Sequence, residues 1–230
     1  MVTNEDEMGI EESVIDAFRD TLSKTARERG LETLALSLNS QDRKTGADYL
    51  LSANDRFSFV EFKSYERSIR DEKEKPLRLH LCRSINRNTR MRSFHDSAHF
   101  IAWADAELVI YTNIYRHEVC NHSVFGANCG LRQALPSVAQ RKPAASFIME
   151  FLSGQNSLSL DRFEAYLSWL LEDVAVTGRG SLVLFVTNPV AQICGLLRFN
   201  SVEALFEWIK KQKPEPTAFD EPSQGPEPRR

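Results

Sequence analysis

Two short apolar stretches carry the residues best suited to chemistry, Gly46-Ala47-Asp48-Tyr49-Leu50 and Phe59-Val60-Glu61-Phe62-Lys63. In an extended strand side chains alternate, so Phe57, Phe59, Glu61 and Lys63 share one face while Val60 and Phe62 take the other. A buried charge without a partner is too costly, so Glu61 and Lys63 must be paired, liganded or at a strand end. Asp48 on the neighbouring strand would complete a site for a hard cation, Mg²⁺ or Mn²⁺. Such a set suits metal-assisted hydrolysis of a phosphodiester. Two carboxylates hold metal that polarises the phosphate and acidifies a bound water, and a lysine orients or helps deprotonate that water. An acidic residue, any residue, then lysine occurs at Asp42-Lys44, Glu61-Lys63 and Asp71-Lys73, so the tripeptide alone is uninformative. Only Glu61-Lys63 sits in an apolar strand after a hairpin bearing an aspartate. The plain alternative is a strand end with solvated charges.

The elements that must position these groups follow from periodicity. Ile10, Val14, Ile15, Phe18, Leu22 and Ala26 recur at helical spacing, predicting a helix from Ile10 to about Arg29 that Gly30 stops. Thr33 to Leu38, Ala47 to Leu51 and Phe57 to Lys63 read as strands, with Asn54-Asp55 as the last turn. Pro76 suits the first turn of a second helix reaching about Arg92, with Leu77, Leu81, Ile85 and Met91 near one face. His99 to Trp103 and Glu107 to Tyr111 read as one or two further strands and Leu182 to Thr187 as another, with Asp161 to about Val174 and Val202 to Lys211 as helices. Residues 116–146 have no clear period. The expected fold is α/β, a mixed central sheet flanked by helices.

The order helix, three strands, helix, strand, with Asp48, Glu61 and Lys63 placed as they are, resembles the PD-(D/E)XK nuclease superfamily over about residues 8–115. The resemblance implies a restriction-endonuclease-like core in which Asp48 and Glu61 ligate metal and Lys63 is the motif lysine. Ala47 stands where the eponymous proline often does. Many members also place a glutamate on the first helix. At roughly 100° per residue Glu11 projects into the Val14, Ile15, Phe18 and Leu22 stripe while Glu12 points away, so Glu11 is the candidate. Its alternative role is a first-turn acid favoured by the helix dipole.

Charge distribution adds a candidate binding face. Net charge is -3, yet ten Lys or Arg against four Asp or Glu fall between Lys63 and Arg92. Arg83, Arg87 and Arg90 would form one stripe on the second helix, able to track a phosphate backbone or simply to face solvent. Arg78 and Arg92 are weaker candidates. His117, Cys120, His122 and Cys129 lie within thirteen residues and invite a zinc reading, without a paired knuckle spacing. The alternative is buried thiols and polar loop histidines. His95 and His99 stand four apart, and His99 suits a strand start better. Cys82, Cys120, Cys129 and Cys194 are too scattered for a disulfide framework and are expected to be reduced.

Composition excludes several classes. Hydrophobic residues at 42% and charged residues at 27% suit a globular chain, and no apolar window approaches a membrane span. Met1 to Met8 shows neither a basic nor an apolar leader region, so a cytoplasmic location is expected. No GxSxG elbow, Walker loop, GxGxxG turn or HExxH occurs. A single domain over 8–212 is expected, with a family-specific half from about 116. A disordered tail at 213–230 should follow, where five of the nine prolines fall.

The expected activity is therefore metal-dependent hydrolysis of nucleic acid, DNA before RNA on family frequency, in defence against foreign DNA or in repair. Specificity would come from a homodimer mate or a protein partner. The rival expectation is a catalytically inactive nuclease-like module that binds nucleic acid or protein within a larger assembly. A toxin-like effector is a third reading.

Overall fold

The computed structural model describes residues 4–38, 47–174, 182–188, 193–199, 204–205 and 207–208. Its centre is a strand that is buried nearly throughout, β3 (Arg56–Tyr65), covered from Phe57 to Ser64. A strand covered on both faces must find partners on both edges, and β3 does. It pairs antiparallel with β2 (Tyr49–Ala53), which pairs antiparallel with β1 (Thr33–Ser37). Its other edge pairs in parallel with β4 (His99–Ala104), followed by antiparallel β5 (Ile110–Ile114) and β6 (Lys142–Pro143). A short β7 (Leu158–Ser159) pairs antiparallel with the start of β3, giving a mixed seven-stranded sheet. The expected α/β class with a mixed central sheet flanked by helices is what the structure shows.

Helices cover both faces. On one, Val14, Phe18, Leu22 and Ala26 of α1 (Asn4–Glu28) pack on Val60, Phe62, Phe100 and Ala102 with Phe147 and Phe151. Each fully buried aromatic or leucine there contributes about 1.5–3 kcal/mol. Gly30, at φ 64°, ends α1 as expected, with Leu31 N returning to Ala26 O at 2.9 Å. On the other face Phe57, Phe59, Ile101 and Trp103 pack against α2 (Arg78–Arg87) and α7 (Leu160–Trp169). The two faces thus sort odd from even residues of β3 as the alternation predicts.

Several expectations need correction. The helix read from Pro76 to Arg92 is two helices, α2 and α3 (Thr89–Ala98), because Asn88 turns extended and its side chain caps Met91 N at 3.1 Å. A 3₁₀ helix, Glu66–Glu74, precedes them where no element was read. The strand placed at Glu107 begins at Ile110 instead, since Asp105 Oδ1 accepts from Glu107 N and Val109 N, each at 2.9 Å, and holds a turn. The aperiodic stretch contains short helices, α4 (Tyr115–Val119) and α5 (His122–Phe125), and ends on α6 (Ala144–Leu152).

The helix expected to reach Val174 does so, with Leu170–Val174 wound as a π-helix. Strands β8 (Leu182–Asn188) and β9 (Ile193–Phe199) form a separate antiparallel pair. Of the helix read over Val202 to Lys211, residues 204–205 and 207–208 are helical and the rest lies outside the described residues, as does the 213–230 tail. No helix among the described residues is long and apolar enough to cross a membrane.

Cys82 and Cys120 were expected to be reduced and are instead joined in a disulfide, with Cα atoms 5.3 Å apart. The fold brings α2 against the end of α4, a proximity that spacing along the chain does not reveal. Cys129 is free and buried.

Candidate functional site

Asp48 stands just ahead of β2, where its backbone N donates to Val60 O at 3.0 Å and its O accepts from Leu38 N at 2.8 Å. The strand pairing therefore continues through it. Its Oδ2 accepts from Phe62 N at 2.7 Å, which ties the carboxylate to the backbone next to Glu61. Glu61 and Lys63 point to the same face of β3 as Phe59. The ladder shifts register between Lys63 and Tyr65, so the strand irregularity falls directly beside the lysine.

Glu61 is completely buried, and around it five further side chains converge from later in the chain. Lys63 Nζ donates to Glu61 Oε1 at 2.6 Å and to Phe62 O at 2.9 Å. Lys75 Nζ donates to the same Glu61 Oε1. The second buried carboxylate is Glu72, on the inner side of the 3₁₀ helix beside Ser68 and Ile69. It lies 3.1 Å from Lys63 Nζ and 3.2 Å from Lys75 Nζ, and it accepts from Arg78 Nε at 2.9 Å and Tyr115 Oη at 2.6 Å. Glu11, half-buried on α1, reaches the end of β3 from the opposite side, where the Ser64 backbone and the charges of Lys63, Asp48 and Lys75 act on it.

Asp48, Glu61 and Lys63 thus lie in one cluster, and Glu11 faces the end of β3 beside it. Glu72, Lys75 and Tyr115 were missed, and Arg78, ranked among the weaker arginines, lies inside the cluster. The spacing of Ser68, Ile69 and Glu72 on one side of a turn was the available signal.

The electrostatics follow from this crowding. Burial, with the charges of Asp48 and Glu72, pushes the Glu61 carboxyl up to about 8, against the pull of Lys63 and Lys75. Burial also raises Glu72, but Lys63, Arg78, Lys75 and the Tyr115 hydroxyl outweigh it and hold the group well below the carboxylate range. Glu61 and Glu72 are one coupled pair, Glu72 pulled down by its cationic partners and Glu61 pushed up by burial and its carboxylate neighbours. Burial raises Asp48 and Glu11 as well. Burial would lower the Lys63 ammonium, yet Glu61, Glu72 and Asp48 hold it well above its ordinary value, so Lys63 is charged.

The donors present fit a hard divalent cation. Glu61 Oε2 is buried and accepts no hydrogen bond, with Arg78 Nη2 3.9 Å away. Among the described residues no three His, Cys, Asp or Glu side chains are gathered to cage an ion. Asp48 and Glu61 would therefore share a cation with water and phosphate oxygens, which is how Mg²⁺ is commonly held.

The remaining sequence candidates are dispersed. Arg83 and Arg87 lie exposed on α2, and Arg90 lies on α3, so the three do not form one continuous helical stripe. Arg83 Nε donates to Cys129 O at 3.0 Å, and the Arg90 guanidinium lies 5.4 Å from the Phe94 ring centre. Of the zinc candidates, Cys120 is bonded to Cys82, His122 Nε2 lies 2.7 Å from Leu131 O, and His117 Nε2 lies 2.9 Å from Arg116 Nη2. His95 and His99 are buried and share the Tyr166 hydroxyl, at 2.6 and 2.8 Å from their Nδ1 atoms.

The chain matches no protein-family model, no curated protein and no solved structure, so the geometry of the site itself carries the functional reading.

Proposed function

We propose that the protein is a metal-dependent nuclease of PD-(D/E)XK type that hydrolyses phosphodiester bonds, DNA being favoured over RNA. The observation that carries this reading is Glu61, a carboxylate buried at the centre of an apolar strand beside Lys63 and Asp48, with one oxygen left without a hydrogen bond. A purely structural core gains nothing from two buried carboxylates and three cations, since apolar residues of similar volume stabilise as well or better. The resemblance rests on the element order helix, three strands, helix, strand, and α1, β1, β2, β3, the helices after it and β4 follow one another in that order.

Asp48 and Glu61 would hold Mg²⁺ or Mn²⁺, which when bound polarises the phosphate and lowers the pKa of a coordinated water. Phe62 N fixes the Asp48 carboxylate, and Glu72 fixes Lys63. Lys63 presents its ammonium beside the carboxylates, where it orients the attacking water and offsets phosphate charge. Glu11 adds a carboxylate at the strand end as an auxiliary. Arg83, Arg87 and Arg90 are exposed cations available to the nucleic-acid backbone. Defence against foreign DNA is the cellular role we favour over repair, in the cytoplasm, with a homodimer mate or partner protein supplying specificity.

A second reading has an observation of its own. Lys63, Lys75 and Arg78 already neutralise Glu61 and Glu72, as a nuclease-like module that has lost metal would require. The test is a Mg²⁺ and Mn²⁺ titration of cleavage on supercoiled, linear and single-stranded DNA and on RNA. Metal-dependent cutting that Lys63→Ala and Glu61→Ala abolish supports the nuclease. Wild type as inert as both variants, in protein that binds no divalent ion, supports the module.

A further inference from the structure

Three cations crowd two carboxylates in the site, and they are not held alike. Lys63 is locked on three sides, by Glu61 Oε1 at 2.6 Å, by Phe62 O at 2.9 Å and by Glu72 Oε1 at 3.1 Å, with its side chain 6% exposed. Arg78 projects from α2 and is fixed on Glu72 Oε2 at 2.9 Å, with its side chain 2% exposed. Lys75 meets the same two carboxylates but is the more exposed. Its side chain is 25% exposed, and its backbone is extended between the end of the 3₁₀ helix and Pro76. It duplicates Lys63 by donating to the same Glu61 oxygen. Of the three, Lys75 can swing to solvent without opening the core or leaving a helix.

Glu61 also has more cationic neighbours than a metal ligand can keep. A divalent ion on Asp48 and Glu61 would lie against the Lys75 ammonium, and like charges at that separation repel strongly in a partly dry site. Lys63 is almost wholly enclosed and has no comparable path to solvent. We propose that Lys75 is a displaceable counter-ion: it neutralises Glu61 while no divalent cation is bound and leaves that carboxylate when one enters. The inference rests on the metal-dependent nuclease reading and adds a residue outside the motif that sets metal affinity. It also accounts for how the metal-free protein tolerates Glu61 and Glu72 together, because Lys75 bridges both, lying 3.2 Å from Glu72 Oε1.

The test is calorimetric titration of Mn²⁺ into the metal-free full chain, comparing wild type with Lys75→Met, Lys75→Gln and Lys73→Met. Lys73 lies on the same 3₁₀ helix, half exposed and paired with Glu74 at 3.5 Å, and controls for a general charge effect. If Lys75 competes with the metal, both Lys75 variants bind Mn²⁺ about tenfold more tightly than wild type, while Lys73→Met changes affinity by less than about twofold. Thermal melts without metal should show both Lys75 variants destabilised, and saturating Mn²⁺ should raise their melting temperatures by more than it raises that of wild type. Unchanged or weaker binding by the Lys75 variants, in a wild type that binds Mn²⁺, overturns the inference and leaves the nuclease reading standing. Absence of Mn²⁺ binding in every protein overturns both.

Discussion

Removing the charge of Glu72 while keeping its shape, Glu72→Gln, tests the buried cluster at its strongest point. The side chain is fully buried, and its two oxygens meet Arg78 at 2.9 Å, Lys63 at 3.1 Å, Lys75 at 3.2 Å and the Tyr115 hydroxyl at 2.6 Å. A glutamine can still accept from Tyr115, so the loss is almost wholly that of charge, and Glu61 becomes the one carboxylate in contact with Lys63, Lys75 and Arg78. Breaking a buried pair in this way costs about 3–5 kcal/mol. Against a total stability of about 5–15 kcal/mol the variant should fold but be plainly weakened. With a urea m-value of about 3 kcal/mol/M, its midpoint should fall by about 1–1.7 M at pH near 7.

The difference should also depend on pH with a known sign. The folded Glu72 carboxyl is held well below its ordinary value of 4.5, so its contribution is fully present above that value and is lost as pH falls through the folded pKa. The gap between wild type and Glu72→Gln should therefore close in acid. A control, Glu74→Gln at an exposed position, should stay within about 0.5 kcal/mol of wild type. A Glu72→Gln variant within about 0.5 kcal/mol of wild type at neutral pH, or a gap that persists in acid, would refute the reasoning.

Reducing the Cys82–Cys120 bond, which spans 38 residues, should cost about 4 kcal/mol in the chain-entropy account, read as a shift in urea midpoint with and without reductant. Tyr166→Phe takes the shared hydroxyl from His95 and His99 and should destabilise by about 1–3 kcal/mol in thermal unfolding.

How far the site was legible in the sequence depends on whether local periodicity or tertiary approach places each residue. Alternation along β3 puts Glu61 and Lys63 on one face with Phe59, and the stripe of Val14, Phe18 and Leu22 orients Glu11, so these three were readable together with Asp48. Glu72 and Lys75 belong to a run of alternating charge that reads as solvated surface. Only the turn of the 3₁₀ helix back over the strand end buries Glu72. Tyr115 depends on α4 meeting the 3₁₀ helix and the Cys82–Cys120 bond on the end of α4 meeting α2, and nothing in residue spacing announces either meeting. The break at Asn88 was readable in principle, since asparagine ahead of Thr89 is a helix-start signal that the longer apolar stripe obscured. The displaced start of β5 traces to the side chain of Asp105 closing a turn.

The central claim is that Asp48, Glu61 and Lys63 form one metal-dependent hydrolytic site. The most direct measurement is the Mn²⁺ dependence of DNA cleavage by wild type, Asp48→Asn and Lys63→Met, with each variant's fold checked by circular dichroism. The account predicts cleavage that rises with Mn²⁺ in wild type and falls by about 100-fold or more in both folded variants. Metal-dependent cleavage of equal rate in all three proteins would contradict it.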